Sequence, residues 1–309
     1  LSKAMKFKAV FVFLAVGAMT ACGPGNKSEG SKSPAAQPAP PISTAPQHET
    51  QGVIASVEGQ VLTLDHDGAS AAPLAFVANR DSNEVSVLDT ATNHLVGGQI
   101  EVGEGPASVA MTPDGRYAYV TDVFNKAVSV IDTSTKKAVG KPIEVGTTPF
   151  GIAITPDGSL AFVTDRGSNE VSVIDTATRE VVAEVPVGEG LGSAPTGVAV
   201  SPDGKFAYVT LFGEDAVEVI DTETLEVVGE PIEVGDGPEG VEFAPDGKTA
   251  YVVDGLGDAV SAIDTETEKV TPIPLEVGAG PRGIVVAPDG KHAFVVDTSS
   301  KSISVIDTA

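Results

Sequence analysis

A tripeptide of one aliphatic residue, Asp and Thr returns six times along this chain: Leu88-Asp89-Thr90, Ile131-Asp132-Thr133, Ile174-Asp175-Thr176, Ile220-Asp221-Thr222, Ile263-Asp264-Thr265 and Ile306-Asp307-Thr308. Successive aspartates stand 43 residues apart at every step except the one of 46 between Asp175 and Asp221. A Pro-Asp-Gly triplet keeps the same phase, starting at Pro113, Pro156, Pro202, Pro245 and Pro288. Whatever one copy does to hide its apolar faces the others must do as well, so the repeat decides the architecture before any single residue is weighed. A period of about 40 to 50 residues carried by strand-like segments is the signature of propeller blades and not of a helical solenoid.

In the copy between Pro149 and Gly188, Gly151-Ile152-Ala153-Ile154-Thr155 reads as a strand and runs straight into Pro156-Asp157-Gly158. Proline presets φ at the first corner of a turn, aspartate bonds nearby backbone, and glycine accepts positive φ, so the strand ends there. Leu160-Ala161-Phe162-Val163-Thr164 is short, aromatic and β-branched. Asp165-Arg166-Gly167-Ser168-Asn169 interrupts it, and Glu170-Val171-Ser172-Val173-Ile174 resumes with a period of two. Asp175-Thr176-Ala177-Thr178 makes the next turn through side-chain bonds to backbone, and residues 181–187 supply a fourth strand. The expected fold class is therefore all-β, a β-propeller of four-stranded antiparallel blades with the Gly-Ile-Ala-Ile type of strand nearest the axis. After residue 50, Gly and Pro interrupt every series that approaches helical spacing.

Counting second and third strands gives six blades between Ala75 and Thr308, with seven blades or an incomplete ring as the alternative. The first copy lacks an inner strand and the last an outer one. Two strand-like runs upstream, at 52–57 and 60–64, are followed by His66-Asp67-Gly68, which mimics the Pro-Asp-Gly turn. The first run is expected to complete the last blade and the second to begin the first, closing the ring over 52–309 without an exposed sheet edge. A separate hairpin is the other reading of the same residues.

Lys3, Lys6 and Lys8 precede an apolar run at 9–19 that is too short for an ordinary spanning helix, so residues 1–21 read as a signal peptide. The run ends at Met19-Thr20-Ala21-Cys22, which resembles the lipobox of bacterial lipoproteins. That resemblance implies lipidation of Cys22 and a protein anchored in the bacterial cell envelope, facing the periplasm or the exterior. Residues 22–51 are rich in Pro, Ser, Ala, Gly and Gln and lack aromatics, the composition of a flexible tether. Fully extended, such a tether reaches roughly 90 Å. Membrane contact is then expected through the lipid alone, where several acyl chains are needed for stable anchoring.

The formal charge of -24 becomes more negative still once the three signal lysines are removed. Such a field repels nucleic acid and anionic headgroups and favours cations or basic partners. No basic cluster lies outside the signal and the short tether, so nucleic-acid binding is excluded. The single cysteine, at the lipobox position, leaves no disulfide and no Cys-based metal or redox site. The four histidines, at 48, 66, 94 and 292, fall in unrelated parts of the repeat. With one Ile-Asp-Thr aspartate per blade, no carboxylates gather into a calcium shell. No metal site and no cofactor are expected, and the chain is expected to be monomeric.

Ala118-Tyr119-Val120-Thr121 before Asp122, Ala161-Phe162-Val163-Thr164 before Asp165, and Ala207-Tyr208-Val209-Thr210 resemble the repeat of the YVTN β-propeller family. Leu211 departs from the pattern, where the other copies carry Asn or Asp. The resemblance implies a mostly non-catalytic surface or periplasmic protein that binds or scaffolds. Related propellers include lactonases, haem domains and accessory proteins of quinone cofactors, so a lactonase-like hydrolase or a metal- or quinone-related accessory role is the alternative. Residues 52–66 also resemble the opening strands of small periplasmic copper chaperones, but the Trp and Met ligands of that fold are missing.

In a propeller the loops entering the inner strands line the mouth of the central channel. The residues just after the loop proline are Ala107, Phe150, Thr196, Glu239 and Arg282, and they differ between copies, while the turn motifs recur. Phe150, Thr196, Glu239 and Arg282 are thus candidate ligand-binding residues. Arg80 and Arg166 follow the second strands of their blades on the same rim and could receive an anion, or pair with Asp81 and Asp165 as solvated surface pairs. The three extra residues between Thr176 and Thr222 lengthen the loop at 188–194 on that face, a place where binding often sits. No nucleophile, base and acid constellation is visible, and no catalytic residue is assigned.

Overall fold

The structure, a computed structural model, describes residues 57–58, 65–66, 69–70, 74–190, 192–273 and 277–308. The chain is a six-bladed, all-β propeller of four-stranded antiparallel blades, with no helix among the described residues. Blade three shows the plan: inner strand Pro149–Ile154, then Leu160–Asp165, Glu170–Asp175 and the outer strand Glu180–Pro186, each paired to the one before. Blades four and five repeat it from Pro195–Val200 to Glu226–Glu233 and from Pro238–Phe243 to Lys269–Ile273. In blade two, which starts at Pro106–Met111, the outer strand is broken into Lys137–Ala138 and Ile143–Glu144. Among the described residues blade one has Leu74–Asn79, Glu84–Asp89 and a broken outer strand, and blade six has Pro281–Val286, His292–Asp297 and Ser302–Asp307.

The two signature motifs are tied to each other at the end of the blade opposite the channel-mouth loops. Thr133 Oγ1 donates to the Gly115 carbonyl at 2.6 Å, and Thr265 and Thr308 do the same to Gly247 and Gly290 at 2.7 Å. The Ile-Asp-Thr aspartate accepts backbone N–H groups of its own turn, as Asp132 does from Thr135 at 2.8 Å. Both repeats are therefore turn chemistry, as their spacing implies.

Period-two alternation sends each strand's side chains to two faces, and the facing sides of successive blades pack together. Phe76, Val85 and Val87 of blade one pack on Val109, Val120 and Ile131 of blade two. Equivalent layers join each later pair up to Tyr251, Val253 and Val260 of blade five against Val286, Val295 and Ile306 of blade six. The far face of blade six differs. Ile303 and Val305 are 40% and 60% exposed, where their counterparts Val171 and Val173 in blade three are fully buried.

Closure by the upstream runs was expected at blades one and six. Instead, Val57–Glu58 runs parallel to the inner strand of blade two, with Val57 opposite Val109, and Asp65–His66 pairs with Ala69–Ser70. Residues 52–56 and 60–64, the signal segment, Cys22 and the tether lie outside the described residues.

Candidate functional site

The channel-mouth loops are held by two hydrogen-bonding devices that recur around the ring. The first uses the threonine that ends the Tyr-Val-Thr strand. Thr164 Oγ1 accepts the Gly151 N–H of its own inner strand and donates to the Thr196 carbonyl of the next blade, both at 2.8 Å. Thr121 hooks the Phe150 carbonyl and Thr210 the Glu239 carbonyl in the same way, at 2.8 Å. The residues after the loop proline are thus pinned by the preceding blade. Valine stands at the equivalent position in blade five, Val253, so Arg282 lacks this hook. The glycine that follows Phe150 takes part as well, since a Cβ on Gly151 would lie 2.5 Å from the Thr196 carbonyl oxygen.

The second device is a buried carboxylate at the end of the second strand. Asp122, Asp165, Asp254 and Asp297 each accept a serine hydroxyl from the third strand, Ser129, Ser172, Ser261 and Ser304, at 2.6 to 2.8 Å. Asp254 also accepts the Gly235 N–H of the loop entering its blade, at 3.2 Å. Burial pushes Asp122 and Asp254 up to about 6 and Asp165 to about 7, against the opposing pull of the serine and glycine hydrogen bonds. In blade four Leu211 replaces the aspartate and Glu218 replaces the serine. The Glu218 carboxylate reaches the Gly188 N–H at 3.1 Å, so a carboxylate is kept from the neighbouring strand.

On this frame stand the variable side chains. Glu239, with 10% of its side chain exposed, lies 3.5 Å from Nη1 of Arg282, which is 55% exposed. Burial pushes the Glu239 carboxyl up, while Arg282 and Arg166 both draw it down. Arg166 does not pair with Asp165, whose carboxylate is bonded to Ser172 beneath the surface. Its guanidinium stacks between two rings, 4.9 Å from the centroid of Phe212 and 5.9 Å from that of Phe150. Phe150 and Arg166 are thus joined to Phe212, and Glu239 to Arg282, while the Gly237 loop beside Phe212 and Gly255 beside Glu239 set the two groups on the same side of blade five. Arg80 forms a second stack, 5.6 Å from the Phe124 ring. Thr196 is buried and donates to the Ala194 carbonyl at 2.9 Å, and Ala107 is buried too. The long loop at 188–194 folds onto its own blade through Ser193 and Glu214 and takes an Asn169 bond at Ala194 N, 3.0 Å.

Three participants were not picked out from the sequence. Phe212 and Leu256 follow the second strands of blades four and five. A Cβ on Gly237 would lie 2.6 Å from Leu256 Cγ and 3.1 Å from Phe212 Cε2, which places both beside the same loop. Phe212 occupies the same phase as Arg80 and Arg166, and Leu256 that of Phe124 one residue further on, so reading those two positions in every copy would have found them. Glu242 stands on the inner strand of blade five where blades two to four carry Ala110, Ala153 and Ala199, and burial pushes its carboxyl up to about 8. The signal for it is Gly-Val-Glu-Phe in place of Gly-Ile-Ala-Ile. Among the described residues no three metal-ligating side chains converge.

Residues 159–309 match the model of the family described as YNCE-like beta-propeller. Over that span, just under half of the chain, the sequence is similar to that family. No curated protein matches the chain. Hydrazine synthase from Kuenenia stuttgartiensis is similar to it at 28% identity, with a TM-score of 0.69 over 76% of this chain and 73% of that one. A candidate 6-phosphogluconolactonase from Bacteroides uniformis is similar at 21% identity and a TM-score of 0.63, over 75% and 77%. A streptogramin B lyase is similar at 15% identity and a TM-score of 0.60, over 76% and 80%. The last two likenesses are of fold, and a fold shared by proteins so named selects no single chemistry.

Proposed function

We propose that this YNCE-like propeller is a non-catalytic recognition module that meets an envelope protein partner with its channel-mouth face. The carrying observation is the character of the variable positions there. They are aromatics and arginines stacked on one another, flanked by Phe124 and Leu256 at 64% and 68% exposure. The repeated polar groups, by contrast, are engaged in turns, hooks and buried staples. Aromatic and arginine side chains on a rigid support are the composition of binding hot spots, and exposed large apolar side chains mark contact surfaces. The hydrolase reading is weaker, because Glu239, the acid it would use, is engaged by Arg282.

Anchoring belongs to the same proposal. A lipid on Cys22 and the tether at 22–51 would hold a monomeric propeller close to a membrane surface, facing the periplasm or the exterior, while leaving the face free to turn toward partners. The test is crosslinking in cells, followed by purification of the full chain and of a Phe124→Ser/Leu256→Ser variant. An envelope protein captured by the native chain and lost from the variant, with unchanged thermal melting, is the expected result. Equal capture by both chains would rule this face out.

A further inference from the structure

We infer that the cluster of Arg166, Arg282 and Glu239 is a subsite for the carboxylate of a small organic acid with an apolar body. The inference rests on the reading above only in placing recognition on this face. Its first ground is the charge count. Arg282 lies 3.5 Å from the Glu239 carboxylate, and Arg166 draws the same carboxyl down, on a chain of formal charge -24. Three of the five arginines of the whole chain, Arg80, Arg166 and Arg282, stand on this rim. In a protein so acidic, that placement opposes the overall field where a ligand would arrive.

The second ground is the state of the donors. Arg166 Cζ lies over the Phe212 and Phe150 rings, and among the described residues its guanidinium N–H groups have no hydrogen-bonded acceptor to compete with a ligand. Arg282 touches Glu239 at 3.5 Å, longer than a good charge-assisted hydrogen bond, and is half exposed. A planar fork of N–H donors matches a carboxylate bidentately, which a point cation does not. The third ground is what surrounds the donors. Phe150 and Phe212 give apolar surface beside the Arg166 guanidinium, and Leu256 continues it along the Gly237 loop next to Phe212, fit for an aryl or alkyl body of few carbons. The frame is rigid, because the Glu239 carbonyl is hooked by Thr210 and a Cβ on Gly255 would come within 2.9 Å of Glu239 Cγ. A large acidic protein would meet the whole negative field, whereas a monoanion meets it with a single charge.

The probe is 3-phenylpropionate, titrated calorimetrically into the full chain beside the isosteric alcohol 3-phenylpropanol and a short peptide ending in phenylalanine. Binding of the acid with the alcohol at least about tenfold weaker, equivalent to about 1.4 kcal/mol, is expected. Arg282→Met and Arg166→Met should each weaken the acid about tenfold, and Glu239→Gln, which removes the internal competitor, should tighten it several-fold. Equal binding of acid and alcohol, no effect of either arginine variant, or no heat at millimolar acid would overturn the inference. Tighter binding of the peptide than of the free acid would overturn the small-molecule assignment in favour of a chain terminus. A Phe124→Ser variant keeps both arginines and leaves Phe150, Phe212 and Leu256 in place, so retained acid binding with lost partner capture separates the two proposals.

Discussion

Thr210 does two things with one hydroxyl: it accepts the Gly197 N–H at 2.7 Å and donates to the Glu239 carbonyl at 2.8 Å. The first bond closes a gap inside blade four, where the register between inner and second strands shifts. The second reaches blade five and sets where the Glu239 backbone can lie. Valine has nearly the shape of threonine, and Val253 fills the same position one blade on. Thr210→Val therefore removes bonding without removing volume. It leaves a backbone donor and a buried acceptor unpaired, at a cost of about 2 kcal/mol in unfolding free energy, to be measured by urea denaturation. Thr210→Ser keeps the hydroxyl and should lose less. A Val variant as stable as the native chain would show that the hooks contribute nothing to stability.

At the scale of the strand pair, blade four trades its aspartate and serine for Leu211 and Glu218 and keeps a carboxylate on the entering loop. Glu218→Ser alone strands the Gly188 N–H. Leu211→Asp alone sets a second acid beside Glu218 and puts a charge into a layer built with Val185, Val187 and Val209. Each single change should cost about 1 to 3 kcal/mol, and the double change, which restores the pattern of blade three, should cost far less than their sum. Additive losses would mean the two positions do not act together. The elements themselves were legible because their signals are local: Pro-Asp-Gly and Ile-Asp-Thr act within a few residues of themselves, so phase gave six blades and the rim positions after each loop proline. The hooks were not legible, since Thr164 and its partner Thr196 are 32 residues apart and its threonine looked like ordinary strand propensity. The site was half legible. Phase brought Phe150, Glu239 and Arg282 to one rim, but the second ring on Arg166 comes from Phe212 of the next blade, and only a reading of Arg166's own phase in every copy would have met it. Thr196 failed as a rim group because its side chain turns inward to its own loop.

Across the whole molecule the buried aspartates make stability depend on pH in an uncommon direction. Folding raises Asp122 and Asp254 to about 6 and Asp165 to about 7 from an ordinary 3.8, with burial as the main cause. The folded state then holds more protons than the unfolded chain between about pH 4 and pH 7, and unfolding releases them. The contribution of these acids to stability is full below the ordinary value of 3.8 and is lost as pH rises through the folded values, above which it no longer changes. Turn aspartates such as Asp132 and Asp264 work the other way, since hydrogen bonds from their own turns lower them, but they are exposed and their contribution is lost only below the ordinary carboxylate range. The chain should thus be most stable near pH 4 to 5 and lose a few kcal/mol by pH 8, read from denaturant midpoints across that range. Self-repulsion from the charge of -24 pushes in the same sense, but salt screens it, whereas a carboxylate under the loops is out of reach of salt. The decisive comparison is therefore Asp122→Asn/Asp165→Asn against the native chain at high ionic strength. The variant should show a flatter fall between pH 5 and pH 8, and an unchanged slope would assign the effect to surface charge. Because Asp254 accepts the N–H of Gly235 in the loop that enters its blade, and Asp122 and Asp165 hold the same place in theirs, the protons lost over that range come from beneath the face on which Arg166 and Arg282 stand.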